Sequence, residues 1–373
     1  MIVWLQVELV LRTRTLIAGY GDAVELRQCG QSNLKLSALG LGCWSFGGGA
    51  YWGETHQRDV DTVVHRSVEL GINHFDAAEA YNDGRSEESL GRAVKGLPRD
   101  KLVIGTKVSP SNCYARTLPR HCEASLRRLG LDYVDLYMVH WPIHPHSIRH
   151  FTNDEAIIRN PPTVEEAFGA LVHLKQQGKI RYIGVSNFGP ARLEEALRIC
   201  PDIVVNQMVY SLLTRAIELE SLPQCRKLGV GVVGYMTLLQ GLLADLYPTL
   251  ADVPPYQARS RHFHRSRSPF SRHGEEGAED VTNAALAGIR MLARSGGMTM
   301  AEITTKWALA GQGITCCLIG ARSIRKLEEN VRAAAQPLSA RIVGQLNRVT
   351  QPVLDKLGNS LDCYESFEND RTR

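Results

Sequence analysis

The sequence predicts a (β/α)8 barrel, which is a closed parallel barrel of eight strands surrounded by helices. Short apolar segments of strand length alternate with amphipathic helical segments along most of the 373-residue chain, as in α/β folds. Several helical segments end in glycine just before the next strand, which suits a left-handed helix end; these glycines are Gly71, Gly130, Gly178 and Gly229. A doubly wound sheet is the alternative, but the first strand lacks the Gly-x-Gly-x-x-Gly turn and helix of that fold.

A short hairpin precedes the predicted barrel. Residues 24–28 alternate apolar and polar side chains, a turn follows at 30–33, and the alternation resumes at 34–36, which indicates two antiparallel strands. The predicted barrel strands are 39–43, 72–76, 102–107, 133–140, 180–185, 203–207, 230–235 and 315–319. The predicted helices are 59–70, 86–94, 118–129, 164–177, 191–199, 218–228, 300–309 and 324–334.

Two segments interrupt this alternation and are predicted to be long loops. Residues 144–162, after the fourth strand, are rich in His, Pro and Asn, and we expect them to lie over the barrel mouth. Residues 247–280, after the seventh strand, contain many arginines and histidines. Insertions of this length commonly form lids over a site or mobile surface loops. The basic residues could bind RNA, but no nucleic-acid-binding motif accompanies them, so a solvated loop or one that folds over an anionic cofactor is the better interpretation.

Composition and charge describe an ordinary globular protein. Hydrophobic residues make up 44% of the chain and charged residues 22%, and the net charge is +4. This charge is too small to indicate a nucleic-acid partner. The nine cysteines include no Cys-x-x-Cys pair, so we predict neither disulfides nor a metal site, and we expect a cytoplasmic location.

Neither a membrane span nor a signal peptide is apparent. No apolar run approaches the roughly 20 residues that a membrane-spanning helix needs. Residues 1–22 lack an apolar core followed by a cleavage site, and we interpret them as a poorly ordered extension. Residues 23–373 are then one barrel with a C-terminal tail. The sequence does not decide between a monomer and a homo-oligomer.

Four polar residues at neighbouring strand ends form the candidate catalytic group. Asp76 ends the second strand, Tyr81 lies in the loop after it, and Lys107 and His140 end the third and fourth strands. Because the carboxyl ends of barrel strands meet at one mouth, we expect these side chains to lie together. Three of these residues also have a structural interpretation when each is taken singly: Asp76 as a turn cap, Lys107 as a surface lysine and His140 as a hydrogen-bonded histidine.

This set of residue types suits the protonation of an alkoxide as it forms from a carbonyl group. A tyrosine with a pKa of ~10 is a poor proton donor or acceptor near neutral pH unless its pKa is lowered, and a neighbouring ammonium group has that effect. A carboxylate would hold the ammonium in place, and a histidine can donate a hydrogen bond to the carbonyl oxygen. The pattern therefore predicts a hydride-transfer enzyme.

Several motifs in order make the chain resemble the aldo-keto reductase superfamily over residues 24–337. The matching segments are Phe75-Asp76-Ala77-Ala78-Glu79-Ala80-Tyr81 with Gly84, Ser86 and Glu87, then Lys107, Val139-His140-Trp141-Pro142, Gly184-Val185-Ser186-Asn187-Phe188, Asn206-Gln207 and Gly320-Ala321-Arg322-Ser323 through Glu329-Asn330. The resemblance implies an NADP(H)-dependent oxidoreductase that reduces an aldehyde, ketone or sugar. It implies Tyr81 as the general acid, Asp76 and Lys107 as the pair that adjusts its pKa, and His140 as the residue that orients the carbonyl.

The same resemblance implies contacts to the nicotinamide end of the cofactor. Ser186, Asn187 and Gln207 match the positions that hold the carboxamide, and Tyr235 matches the aromatic residue that stacks on the ring. The residues expected to line the same pocket are Gly42 and Trp44. The expected substrate partner is a small carbonyl compound.

The helix after the last strand is the predicted site for the adenosine end of the cofactor. The residues assigned there are Gly320, Arg322, Ser323, Arg325, Lys326, Glu329 and Asn330. The amides at the start of this helix can receive a phosphate. The three cations suit a 2′-phosphate, which favours NADP(H) over NAD(H), and the last two residues match the family's adenine contacts.

A second function from a different class stays open. The beta subunits of potassium channels resemble the same family, so the alternative is a nucleotide-sensing regulatory subunit. Turnover of NADPH with a panel of aldehydes distinguishes an enzyme from such a subunit.

Overall fold

The N-terminal hairpin and the barrel strands are present in the structure, a computed structural model that describes residues 24–373. The predicted extension over residues 1–22 lies outside the described residues. The hairpin strands are β1 (Leu26–Gln28) and β2 (Lys35–Ser37), and they pair antiparallel. The barrel strands are β3 (Leu39–Gly42), β4 (His74–Asp76), β5 (Val103–Val108), β6 (Val134–Val139), β7 (Ile180–Ser186), β8 (Ile203–Val209), β9 (Gly231–Tyr235) and β10 (Ile314–Ile319).

These eight strands close into a parallel barrel. Each strand pairs with its neighbour in chain order, and β10 pairs with β3 to complete the circle. Every residue of β6 is buried, as expected for a parallel sheet covered by helices on its outer face. The predicted (β/α)8 fold class and the predicted hairpin are confirmed.

The helices cover the outside of the barrel and also occupy segments that the sequence did not identify as helical. Within the described residues they are α1 (Gln57–Glu69), α2 (Arg85–Val94), α3 (Leu118–Leu129), α4 (Pro145–Phe151), α5 (Glu155–Arg159), α6 (Val164–Gln176), α7 (Pro190–Ile199), α8 (Ser221–Leu228), α9 (Glu279–Ser295), α10 (Met300–Leu309), α11 (Ile324–Ala334) and α12 (Ala340–Leu357). Each of the eight predicted helices corresponds to one of these.

The prediction of a long loop over residues 144–162 is wrong in detail, because α4 and α5 lie within it. Both helices are too short to show a clear apolar period in the sequence. The side chain of Asp154 accepts a hydrogen bond from the amide of Ala156 at 2.8 Å and so caps α5. Residues 279 and 280 of the second predicted loop begin α9.

The predicted C-terminal tail contains another helix that the sequence analysis missed. α12 has Pro352 in its interior, and an internal proline usually indicates a helix end. This helix packs against α9, where a side chain at Gly288 would place its Cβ 2.5 Å from Val349. The glycine therefore permits the close approach of two helices that the sequence alone does not pair.

The hairpin closes the N-terminal end of the barrel. Its residues Cys29, Leu34 and Leu36 are buried in one apolar cluster with residues that face the barrel interior, including Leu136 and Val233. The amide of Gln31 donates to the carbonyl of Gly229, the residue two before β9, at 2.8 Å. The open end of the barrel is therefore the opposite one, where the strands have their carboxyl ends.

All nine cysteines are free and buried. Within the described residues, no helix has both the length and the apolar character needed to cross a membrane.

A buried histidine attaches the segment between β9 and α9 (residues 236–278, below the β9–α9 segment) to the barrel. The His262 ring contacts the carbonyl oxygen of Leu213 through Nε2 at 2.8 Å and the hydroxyl of Ser260 through Nδ1 at 3.0 Å. Burial is the main cause that lowers the pKa of His262 from 6.5 to about 4. The folded protein therefore keeps this imidazole uncharged at pH values where the unfolded chain protonates it.

We expect this histidine to make the protein less stable in mild acid. As the pH falls from 6.5 towards about 4, the unfolded state binds a proton that the folded state does not, so the free energy of unfolding decreases by about 1.4 kcal/mol per pH unit. Urea denaturation at several pH values measures this slope. His262→Gln is the comparison: it should reduce the slope by about that amount, and an identical slope in both proteins would contradict the prediction.

Candidate active site

A buried ion pair lies at the carboxyl end of β4 and β5. The Nζ atom of Lys107 donates hydrogen bonds to the Oδ2 atom of Asp76 at 2.8 Å, to the carbonyl of Ala77 at 2.8 Å and to the hydroxyl oxygen of Tyr81 at 3.2 Å. Lys107 is fully buried and Asp76 is 3% exposed. The second carboxylate oxygen of Asp76 accepts a hydrogen bond from Gln207 at 2.9 Å. Both charges are thus fixed and paired.

The charge of Lys107 is maintained by its partners. Burial by itself lowers the pKa of Lys107, but the influence of Asp76 and Tyr81 is larger in sum and raises the pKa above its usual value. The lysine is therefore an ammonium group near neutral pH. It is positioned to stabilise negative charge that develops on the Tyr81 oxygen.

Tyr81 begins a turn with an uncommon backbone. Asn82, Asp83 and Gly84 have φ angles of 51°, 57° and 83°, and left-handed non-glycine residues carry strain that is common at functional sites. The side-chain amide of Asn82 donates to the carbonyls of Trp44 and Phe46, both at 2.8 Å. This side chain therefore joins the loop after β3 to the turn that positions Tyr81.

The predicted direction of the Tyr81 pKa shift is wrong. The sequence predicts that the ammonium lowers this pKa. Lys107 does act in that direction, but burial has the larger effect and raises the pKa of Tyr81 above its usual value. The phenol is therefore protonated near neutral pH. Because the Tyr81 oxygen accepts from Lys107 and its proton has no acceptor among the described residues, the proton is available to a bound molecule.

His140 directly follows β6 and faces Tyr81. The two ring centroids are 5.6 Å apart in an edge-on arrangement. Burial, and then the nearby cations Lys107 and Arg371, keep the pKa of His140 well below its usual value, so the imidazole is uncharged. Its Nδ1 atom is buried without a hydrogen-bond partner among the described residues.

The residues predicted to hold the nicotinamide lie together at the ends of β7, β8 and β9. The Asn187 amide donates to the Ser186 hydroxyl and to the His140 carbonyl, both at 3.1 Å, and its oxygen accepts from the Tyr235 hydroxyl at 2.7 Å. The Ser186 hydroxyl donates to the carbonyl of Gln207 at 3.0 Å. All four residues line the cavity that also contains Tyr81 and His140.

The two residues predicted after the first strand differ in their positions. Trp44 lines the same cavity, and its ring stacks on that of Tyr51 with centroids 5.0 Å apart and lies 5.9 Å from that of Tyr81. Gly42 ends β3 opposite Asp76 and is not among the lining residues. Trp44 is therefore part of the cavity wall, whereas Gly42 is not.

The residues predicted for the adenosine end lie at the start of α11. Arg322 donates to the carbonyls of Trp52 and Glu54 at 3.1 and 2.9 Å. The hydroxyl of Ser323 caps α11 by accepting from the Lys326 amide at 3.4 Å. Arg325 pairs with Glu329 at 2.6 Å. Asn330 is buried, and Gly320 lies directly after β10 with open space where a side chain would begin.

The aldo/keto reductase family model matches residues 38–351 of the chain. The protein belongs to the aldo/keto reductase family. The resemblance inferred from the sequence motifs is therefore confirmed. This match covers the barrel from β3 to α12, so it includes every residue assigned above to the site.

Curated relatives of this aldo/keto reductase act on small aldehydes, according to their names. An L-glyceraldehyde 3-phosphate reductase of Escherichia coli K12 is 30% identical over 339 residues, which are 84% of this chain and 88% of that protein. An NADH-specific methylglyoxal reductase of the same strain is 32% identical over 326 residues, with 82% and 91% covered.

Solved structures of aldo-keto reductases share the fold. An enzyme from Klebsiella pneumoniae in complex with NADP and acetate is 25% identical with a TM-score of 0.66, and the alignment covers 91% of this chain and 99% of that one. An aldo-keto reductase from Bacillus halodurans in its holo form is 28% identical with a TM-score of 0.67, with 87% and 96% covered.

More than half of the residues that line the cavity of this aldo/keto reductase were not assigned to the site from the sequence. The missed lining residues are Trp141, His150, Phe151, Met236, Arg259, Phe270, Arg272, Tyr364 and Arg371. Several of these residues lie in the two segments that the sequence predicts to be loops. The expectation that such loops fold over the barrel mouth is the sequence signal that could have identified them. Tyr364 and Arg371 come from the C-terminal segment (residues 358–373), and no sequence signal connects them to the barrel mouth.

Proposed function

We propose that the protein is an NADPH-dependent reductase of small carbonyl compounds, with Tyr81 as the general acid. The observation that carries the proposal is the Lys107 ammonium, which contacts both the Asp76 carboxylate at 2.8 Å and the Tyr81 hydroxyl at 3.2 Å. The Tyr81 proton has no acceptor among the described residues, and Tyr81 lines a cavity of about 280 Å³. A proton donor so placed suits a carbonyl oxygen that gains negative charge.

The residues at the cavity wall fit a nicotinamide cofactor. Ser186, Asn187 and Gln207 offer hydroxyl and amide groups, which can hydrogen-bond a carboxamide, and Tyr235 offers an aromatic ring for stacking. The cofactor, when bound, supplies the hydride to the carbonyl carbon. The function of these four residues is to hold its ring beside Tyr81 and His140.

The proposed proton transfer uses four side chains of this chain. Tyr81 gives its hydroxyl proton to the carbonyl oxygen, and the ammonium of Lys107 stabilises the phenolate that remains. Asp76 keeps Lys107 charged and oriented. The uncharged His140 has one ring N–H, and in this proposal it donates a hydrogen bond from that group to the same carbonyl oxygen.

Turnover experiments test the proposed activity. The purified protein is expected to consume NADPH when supplied with small aldehydes, and absorbance at the nicotinamide band measures the rate. If NADPH binds but no aldehyde or ketone in a broad panel is reduced, the alternative of a nucleotide-sensing regulatory subunit is favoured instead.

We also propose that the cofactor is NADP(H) rather than NAD(H). The cations Arg322, Arg325 and Lys326 gather at the start of α11, where helix amides add positive potential for a phosphate. The Klebsiella pneumoniae neighbour contains NADP, whereas the methylglyoxal reductase relative is NADH-specific. The preference therefore depends on this chain's own cations.

We expect NADPH to bind about 10- to 100-fold more tightly than NADH, because one or two charge-assisted hydrogen bonds to the 2′-phosphate contribute that much. Fluorescence titration measures both dissociation constants. Arg322→Gln should weaken NADPH binding and leave NADH binding nearly unchanged, while Arg332→Gln, in the last turn of the same helix, should change neither. Tighter binding of NADH by the unmodified protein would contradict the proposal.

A further inference from the structure

Three arginines line the cavity that contains Tyr81 and His140. Arg259 and Arg272 belong to the β9–α9 segment, and Arg371 belongs to the C-terminal segment. The sequence alone does not place any of these three side chains at the substrate. Three cations in the wall of a small cavity suggest an anionic ligand, unless carboxylates of the protein already neutralise them.

Two of the three arginines are neutralised in this way. Arg371 donates to both oxygens of Asp362, with Nε at 2.6 Å and Nη2 at 2.8 Å, which is the bidentate geometry of a strong ion pair. Arg272 pairs with Glu365 at 2.7 Å. Neither cation carries an uncompensated charge.

Arg259 differs from both. Among the described residues it forms no ion pair with a carboxylate, and its Nε atom is buried without a hydrogen-bond partner. Its guanidinium carbon lies 5.1 Å from the ring centroid of Tyr51 and 5.5 Å from that of Tyr364. These rings hold the planar group and attract its charge weakly, but they provide no counter-ion.

The other ionisable residues in the cavity wall or directly behind it do not supply that counter-ion. Asp76 and Lys107 neutralise each other at 2.8 Å. His150 accepts a hydrogen bond from Arg272 through Nδ1, which a doubly protonated imidazole cannot do. The partly buried charge of Arg259 is therefore unpaired, and an unpaired guanidinium with its planar set of donors suits a carboxylate or phosphate group.

The size of the cavity limits the ligand. About 280 Å³ is close to the lower end of the roughly 300–1,000 Å³ that is typical of ligand pockets. The proposed nicotinamide contacts Ser186, Asn187 and Gln207 line this same space, so the cofactor ring would fill part of it. The room that remains suits a compound of a few carbon atoms.

We propose that the substrate is a small carbonyl compound that carries a carboxylate or phosphate group, and that Arg259 binds this group. This inference rests on the proposed function, since Tyr81 and His140 then receive the carbonyl oxygen of the same molecule. A second anion could compete for Arg259, namely the pyrophosphate of the cofactor, and the test separates the two.

Matched pairs of substrates test the proposal. One pair is succinic semialdehyde and butanal, and the other is glyceraldehyde 3-phosphate and glyceraldehyde; each pair differs chiefly in the anionic group. We expect the unmodified protein to prefer the anionic member of at least one pair in kcat/KM. In Arg259→Gln, kcat/KM for that member should fall about 10- to 100-fold, mainly through KM, while the neutral member loses much less.

Two further variants control the comparison. Arg265→Gln removes an exposed arginine of the same segment, which pairs with Glu276 at 3.2 Å, and it should leave both substrates unchanged. Arg259→Lys keeps the charge but loses the planar set of donors, so it should retain part of the preference. The pair that shows the preference identifies the anion as a carboxylate or a phosphate.

Three outcomes would overturn the proposal. The unmodified protein could show no preference for the anionic member of either pair. Arg259→Gln could lower kcat/KM equally for anionic and neutral substrates. Arg259→Gln could also weaken NADPH binding by the same factor by which it lowers kcat/KM, which would show that Arg259 binds the cofactor. If NADPH binds but no member of either pair is reduced, the proposed reductase activity itself fails.

Discussion

Replacing Tyr81 by phenylalanine is expected to abolish carbonyl reduction and to leave NADPH binding largely intact. The substitution removes the hydroxyl that accepts from Lys107 at 3.2 Å but keeps the ring beside Trp44 and His140. General acid catalysis contributes about 10²- to 10⁴-fold to a rate, so kcat should fall by that factor. The NADPH consumption rate measures kcat, and fluorescence titration measures cofactor affinity.

A second tyrosine provides the control for this variant. Tyr133 directly precedes β6, at the end of the barrel away from the mouth, and its ring lies 4.0 Å from the guanidinium groups of Arg99 and Arg181. Tyr133→Phe should therefore keep full activity. Equal rates in Tyr81→Phe and the unmodified protein would remove Tyr81 from the mechanism. A collapse of NADPH affinity in Tyr81→Phe would instead make it a cofactor contact.

Replacing Lys107 by methionine is expected to cost both activity and stability. The variant leaves the Asp76 carboxylate buried without its counter-ion, with only the Gln207 hydrogen bond at 2.9 Å. Removing one partner of a buried ion pair costs about 3–5 kcal/mol. The phenolate of Tyr81 would also lose its stabilising charge, so kcat should fall with the free energy of unfolding, which urea denaturation measures.

Two comparisons distinguish the electrostatic cause from a general packing defect. The double variant Asp76→Asn/Lys107→Met should recover much of the stability but none of the activity. Lys101→Met, at an exposed position, should change neither property. A double variant that is no more stable than Lys107→Met would refute the electrostatic explanation.

The barrel could be predicted from the sequence because its pattern is local. Each strand and its helix show their own period within about a dozen residues, and glycines such as Gly130 and Gly229 end helices in the left-handed region. The position of the candidate catalytic group could also be predicted, since Asp76, Lys107 and His140 stand at strand ends that the fold brings together. The burial of Tyr81 could not be predicted from the sequence, so the predicted direction of its pKa shift was wrong.

The substrate side of the cavity could not be predicted from local patterns. Arg259 and Tyr364 meet only because the β9–α9 segment packs on the C-terminal segment, where the Arg261 amide donates to the Cys363 carbonyl at 2.8 Å. These two residues are about a hundred positions apart in the chain. The sequence shows arginines in this segment, but only the fold shows that Asp362 and Glu365 neutralise two neighbours and leave Arg259 unpaired.

The apolar closure of the barrel's lower end determines how protons reach the site. Cys29, Leu34 and Leu36 fill that end with side chains that conduct neither water nor protons. If Tyr81 is the proton donor, as proposed above, we expect the proton that it gives up to be replaced from the mouth, through the same opening that admits the substrate. Reprotonation and product exchange then share one path, so slow product release would also delay the recovery of the acid for the next cycle.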